Sequence, residues 1–331
     1  MKLRKLIIGI SLISLILTGC TIGDKQFVLD VNNVGRNDVF SINGTECSIK
    51  EAKLYLCNYQ NLYGNEFGID LWNHDFGEYT PEEVSLEEYV KDITLAQLAN
   101  IMCMNMLAED MEIVLSEKEH KKIEEAAQEY FSSLNKEEVS YMGISYDEVQ
   151  EYYEKYAIAQ KLYNTLTNGI NEEVSEDEAR VIRVQQIFVT STENANLVQQ
   201  KLVEGNDFAT LAATYNEAAE IEITMARNAY PKVIEDIAFH LDNGQTSEMI
   251  TTENGYYFFK CISKYEQELT EENKATILIQ RRKEQFDDVL TTFVENSSYE
   301  LNEDLWEKTE IDKSGAIQTD SFFEIYEKHF N

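Results

Sequence analysis

The chain has 331 residues and a formal net charge of −33, with 61 acidic side chains against 28 basic ones. So acidic a surface repels nucleic-acid phosphates and anionic lipid headgroups alike, which excludes nucleic acid as a partner and membrane attachment through surface charge. Apolar residues at 43% and aromatics at 11% suffice for a packed core, so global disorder is excluded, and two prolines, Pro81 and Pro231, suit a largely helical chain.

Lys2, Arg4 and Lys5 form a basic start, and Leu6 to Leu17 an apolar run too short for a comfortable transmembrane helix. The next residues, Leu17-Thr18-Gly19-Cys20, resemble a bacterial lipobox. That resemblance implies that residues 1–20 are a lipoprotein signal peptide and that the Cys20 thiol carries diacylglycerol. Such an anchor gains about 0.8 kcal/mol for each buried methylene. The competing reading is an ordinary signal peptide that contains a cysteine. Thr21 to Asn37 is short, polar and unpatterned, a tether between anchor and body.

Asp38 to Ser48 reads as a strand, a turn at Asn43-Gly44 and the start of a helix. Ser48 and Glu51 have the spacing of a capping box, in which each side chain bonds the other's free backbone N–H. The same spacing recurs at Ser85/Glu88, Ser116/Glu119, Ser145/Glu148 and Ser175/Glu178. Apolar periodicity after the first four predicts helices near 49–63, 86–110, 117–134 and 146–168; the fifth caps only a turn. The stretch Tyr63 to Tyr79, with Phe67, Trp72, His74-Asp75 and Phe76, is an aromatic loop that either covers the helical core or contacts peptide.

Val181 to Val189 is β-branched and apolar, a strand. A helix with Leu197, Val198, Leu202 and Val203 follows and stops at Gly205; Asp207 caps the next, with Phe208, Leu211 and Ala212. Pro231 precedes a third with Val233, Ile234, Ile237, Ala238 and Leu241. Two strands then flank Asn254-Gly255, a dipeptide that takes the positive φ values of a tight hairpin. The order is strand, helix, helix, helix, strand, turn, strand. Thr270 can cap a long helix through Glu295 with Phe286, Val289, Leu290 and Phe293 on one face. Tyr299 to Asn302 is a short strand, Leu305-Trp306 a closing apolar element, and 314–331 a tail with one amphipathic helix.

The stretch from Ala179 to Lys264 resembles the parvulin-type peptidyl-prolyl isomerase domain. The likeness is carried by Gly205-Asn206-Asp207-Phe208-Ala209-Thr210-Leu211-Ala212, by Ala238-Phe239-His240-Leu241 running on to Gly244-Gln245-Thr246-Ser247, and by Gly255-Tyr256-Tyr257-Phe258-Phe259-Lys260. The opening Ile42-Asn43-Gly44 with Ser48 and Glu51 resembles the N-terminal region of PrsA/SurA-type foldases. In that family N- and C-terminal segments build a chaperone body around an inserted parvulin domain. The fold class expected is α+β, a mainly helical chaperone body with an inserted parvulin-like α/β domain. Its parts would be 1–20 signal peptide, 21–37 tether, 38–178 N-terminal helical region, 179–265 parvulin-like domain and 266–331 C-terminal helix and tail.

The barrier to prolyl isomerisation, about 18–20 kcal/mol, is amide resonance, so a site that twists and desolvates the peptide can lower it without a nucleophile. The resemblance implies an apolar proline pocket backed by two histidines. Gln186 and Tyr257 stand at the positions of those histidines, and Glu220 to Ala226, without glycine, at the family's glycine-rich loop. Tyr230 and Ile234 take the pocket's apolar positions, with Met225 and Phe239 beside them. Glutamine does not titrate and a phenol ordinarily titrates near pH 10, so neither replaces imidazole near neutrality. Two readings stay open: Gln186 and Tyr257 bond one another and line a slower working pocket, or the domain binds peptide or merely packs. The substitutions favour weak or lost catalysis.

The implied function is an extracytoplasmic, membrane-anchored foldase or chaperone for unfolded or partly folded secreted proteins; the alternatives are an active isomerase and a non-catalytic scaffold lipoprotein. No cofactor is implied, and no metal, because His74, His120, His240 and His329 are scattered. A homodimer stays open. Cys47, Cys57, Cys103 and Cys261 match no zinc or redox spacing; disulfides among them are possible but not indicated.

Overall fold

The computed structural model describes residues 34–330 apart from 68–84. Cys20, the signal peptide, most of the tether and the aromatic stretch from Gly68 to Tyr79 lie outside the described residues. The chain divides into two compact units, one made of residues up to Asn168 and from Lys283 onward, the other of Gly169–Arg282.

The first unit opens with strands β1 (Asp38–Ile42) and β2 (Thr45–Ser48), paired antiparallel. Asn43 and Gly44 between them both have positive φ, 52° and 83°, the geometry of a tight two-residue hairpin. The second strand was not expected from sequence, since only Cys47 in it is fully buried. Helices α1 (Ile49–Phe67), α2 (Leu86–Asp110), α3 (Glu117–Ser133), α4 (Lys136–Met142) and α5 (Tyr146–Thr167) follow. Both halves of the capping box form at Ser85, Ser116 and Ser145, and again at Asn135 with Glu138, which starts the unforeseen α4. At Ser48 the Glu51 N–H donates to the hydroxyl, at 3.2 Å.

The C-terminal segment completes this unit. Strand β7 (Tyr299–Leu301) pairs with β1, giving the sheet order β2-β1-β7. After the one-turn helix α11 (Glu303–Glu307), whose Trp306 is buried, the tail ends in α12 (Phe322–Phe330). Phe322 is fully buried. It stacks on Tyr153 with centroids 4.1 Å apart and meets Tyr130 edge-on at 5.3 Å. Polar bonds hold the approach to this helix: Asn58 accepts from the Phe322 N–H, and the buried Glu138 carboxylate accepts from the N–H groups of Gln318 and Thr319.

The second unit carries the sheet β4-β3-β6-β5, built from β3 (Val181–Val189), β4 (Glu222–Ala226), β5 (Ile250–Thr252) and β6 (Gly255–Ser263), all antiparallel. Helices α6 (Glu176–Ala179), α7 (Thr192–Val203), α8 (Phe208–Tyr215) and α9 (Lys232–Ala238) belong to it. Alternation along β3 sorts its side chains to two faces. Ile187 and Val189, with Phe258, pack against α7 and α8. Ile182 and Val184, with Phe259 and Cys261, pack against α9 and the turn carrying Phe239 and Leu241.

Three expectations shift here. A strand, β4, lies between the second and third helices; it is short, at the sheet edge, and only Met225 in it is fully buried. Helix α10 (Gln267–Glu295) begins before Thr270, so Thr270 is no cap. Instead it is buried, and its hydroxyl accepts from the Val181 N–H at 3.1 Å. At the β5–β6 turn only Gly255 has positive φ, 144°; Asn254 does not. Gly255 is needed for close approach: a Cβ there would lie 2.6 Å from the Val189 carbonyl oxygen. All four cysteines among the described residues are buried and unpaired.

Candidate functional site

The face of the second unit's sheet that carries α9 gathers the residues singled out from sequence. On β3, Gln186 and Phe188 continue the series Ile182, Val184; on β6, Tyr257 continues Phe259 and Cys261. Register places Gln186 opposite Phe259 and Phe188 opposite Tyr257, so Gln186 and Tyr257 are diagonal neighbours across the strand pair. Met225, Ile234 and Phe239 belong to the same cluster, with Tyr230 and Tyr257 packed on it.

Depth separates these residues. Met225, Ile234 and Phe239 are all buried. Phe239 is closed over by two guanidiniums, Arg227 at 4.2 Å and Arg180 at 5.2 Å from its ring centroid. Asp177 holds both arginines, accepting from Arg227 through each carboxylate oxygen at 3.0 Å and lying 2.9 Å from Arg180. Tyr230, Tyr257 and Phe188 are half-buried and make the accessible part of the face. The Tyr257 ring lies 4.6 Å from Phe188 and runs parallel to Phe259 at 5.9 Å.

Gln186 is 7% exposed, and its amide is already engaged. Its Nε2 donates to the Glu220 carbonyl at 2.9 Å, while its backbone N–H donates to the Ile221 carbonyl at 2.7 Å. Asn216 donates to the same Glu220 carbonyl at 3.2 Å. The Gln186 side chain therefore fastens the segment leading into β4. It makes no hydrogen bond to Tyr257, contrary to the bonded pair that the sequence left open. Burial pushes the Tyr230 hydroxyl above its ordinary value, and the neighbouring Tyr257 and the Glu220 carboxylate add to this. The Tyr230 phenol therefore stays protonated near neutrality. The accessible face thus presents aromatic rings and a neutral phenol, which can stack and hydrogen-bond.

The remaining motif residues hold backbone. Gly244 has φ 83° and donates to the Cys261 carbonyl. The Ser247 hydroxyl accepts from the Phe259 N–H at 2.9 Å. Asp207 caps α8 by accepting from the Thr210 N–H. Phe188 was not singled out beforehand, although its parity with Gln186 along β3 was the available signal, and Glu220 was read only as the start of the loop stretch. Among the described residues no cluster of His, Cys, Asp and Glu fits a metal ion.

An antiparallel four-stranded sheet bearing helices on both faces, with this motif order, is the parvulin-like arrangement, and residues 171–275 match the PPIC-type PPIASE domain family. More widely, the chain is 30% identical over 171 residues to foldase protein PrsA 3 of Bacillus anthracis, an overlap of 49% of this chain and 59% of that protein. The chain thus spans less than two thirds of that relative's length. It is 23% identical over 317 residues to foldase protein PrsA of Clostridium acetobutylicum, covering 80% of this chain and 95% of the relative. Among solved structures, the peptidylprolyl isomerase PrsA of Bacillus cereus is similar with a TM-score of 0.41 and 20% identity, over 77% of this chain and 99% of that one. The chain is PrsA-like, with a parvulin-like domain in its middle.

Proposed function

We propose that this protein is an extracytoplasmic foldase that acts chiefly as a chaperone, holding unfolded or partly folded secreted proteins, with a parvulin-like domain whose catalytic positions are substituted. The observation that carries the reading is the engagement of Gln186. Where the family pattern has a histidine, this chain has an amide bonded to the Glu220 carbonyl. It holds the fold and moves no proton. Diagonally across the strand pair, Tyr257 offers an aromatic wall, so the accessible face suits contact with peptide side chains rather than acid–base work.

Secretion and anchoring belong to the same proposal. The basic start, the apolar run and Cys20 support a lipid anchor on the outer face of the cell membrane. Among the described residues no helix is long and apolar enough to cross a membrane.

A second reading, a slow but working isomerase, is favoured by the half-buried Tyr230 and Tyr257, which lie on the apolar cluster of Met225, Ile234 and Phe259. One experiment separates them. The full chain is added to an aggregating unfolded client and, separately, to a short X-Pro peptide whose cis-to-trans rate is followed. The chaperone reading expects suppressed aggregation without acceleration. A large acceleration lost in Tyr257→Phe establishes the isomerase, and neither effect refutes both.

A further inference from the structure

A cavity of about 430 Å³ opens within the first unit, between the β1–β2 hairpin, α2 and α5. One side of α2 lines it with Leu98, Ile101, Met102 and Met106, and α5 adds Ile158. The apolar lining runs outward to Val114, which is 72% exposed. A volume of this size is in the range that seats a small ligand or a few side chains, about 300–1,000 Å³. Methionine walls adapt to different shapes.

The polar lining has one sign. Glu46, Glu109 and Glu112 stand exposed around the cavity. Glu51, 3% exposed, lies deeper and holds Lys155, whose Nζ is 2.8 Å from its Oε2. Among the described residues, Lys155 is the one cation in the lining, and Glu151 also binds it, at 3.0 Å. The site therefore keeps an excess of carboxylate after its internal pairing. Like charge disfavours a second copy of this chain, at −33, and an anionic lipid as occupants.

We propose that this cavity seats the apolar side chains of unfolded polypeptide segments in which Lys or Arg flank the apolar residue. The apolar walls take the side chain, the exposed carboxylates pair with the flanking cations, and acidic segments are turned away. The inference rests on the chaperone reading and gives it a site and a client chemistry.

The test uses the full chain and two labelled peptides, one alternating leucine with lysine and one alternating leucine with glutamate, followed by fluorescence polarisation. The basic peptide is expected to bind at least about tenfold more tightly, with a preference that salt weakens. Glu109→Lys with Glu112→Lys, both at exposed positions, should abolish that preference. Ile158→Trp, which fills the cavity, should weaken the basic peptide's binding. Equal binding of both peptides overturns the proposal. So does a preference unchanged in the charge-reversed variant, or uptake of a labelled fatty acid or a second copy in place of peptide. Aggregation suppression by the same preparations is scored separately. A chain that protects clients but does not discriminate the peptides sinks this inference alone, whereas one that protects none sinks the chaperone reading.

Discussion

The two units bury their cores in opposite ways. In the first, Tyr55, Tyr153 and Phe322 meet in one aromatic cluster although they come from α1, α5 and the tail. The second is a single run of chain, Gly169–Arg282, whose sheet sorts its apolar residues by strand parity to two faces. The first core needs segments from both ends of the chain, whereas every strand of the second unit's sheet comes from one continuous stretch. The accessible aromatic face carrying Tyr257 lies on a frame held by buried residues on both sides of the sheet.

The strongest way to break this contrast is Phe322→Ala, which removes the ring at the centre of the first core and should cost about 3–5 kcal/mol. Thermal unfolding followed by hydrogen exchange should show protection lost in α1, α3 and α5 but kept in β3 and β6. Equal loss in both units would mean that they do not unfold independently. Gly255→Ala tests the other side. Its Cβ would meet the Val189 carbonyl, at φ 144°, and overpacking of that kind costs about 1–3 kcal/mol; exchange protection should then fall in β3 and β6 only.

Gln186→Leu sharpens the claim that this side chain holds the fold. Losing its bond to the Glu220 carbonyl should cost about 1 kcal/mol, with Asn216 still donating to that oxygen, and loosen residues 216–222 in hydrogen exchange. A variant with unchanged stability and exchange would return Gln186 to the list of groups free to act on a ligand.

The smallest effect concerns acid. Burial raises the Glu119 carboxyl, but bonds from Lys161 and from Ser116 prevail and bring it down to about 2. A carboxyl lowered by folding adds stability above its unfolded value of about 4.3, and that stability is lost as the pH falls toward about 2. Glu119→Gln should therefore flatten the acid limb of the first unit's stability in that window and cost under about 1 kcal/mol near neutrality, because the pair is partly exposed. Urea midpoints across that pH range measure it; an acid limb as steep as the wild type's would count against the pair.

Much of this was legible because it is local. Helix starts at Ser85, Ser116 and Ser145 follow from a four-residue pattern, and the apolar spacing after each gives its length. Asn135 and Glu138 carry the same signal in another residue type. What stayed hidden depends on distant partners. Strand β2 forms because β1 lies beside it, and Thr270 is drawn inside a helix by the backbone of Val181. A contrast between Asn43-Gly44 and Asn254-Gly255 shows the limit most plainly: Asn43-Gly44 makes the tight turn, while Gly255 answers to Phe188 and Val189 instead. At the site, the face was legible through the parvulin resemblance and strand parity. The bond from Gln186 to Glu220 was not, since it depends on the path of the segment between α8 and β4.

The place of Phe322 in the chain has a bearing on synthesis. A ribosome releases residues 169–282 before it reaches Phe322, so the sheet unit has all its strands while the helical core still lacks its central ring. Until that ring arrives, Tyr55, Tyr130 and Tyr153 lack the ring that each of them meets at the centre of their cluster. The helical part thus closes its core last, because the ring that joins α1, α3 and α5 comes from the final helix.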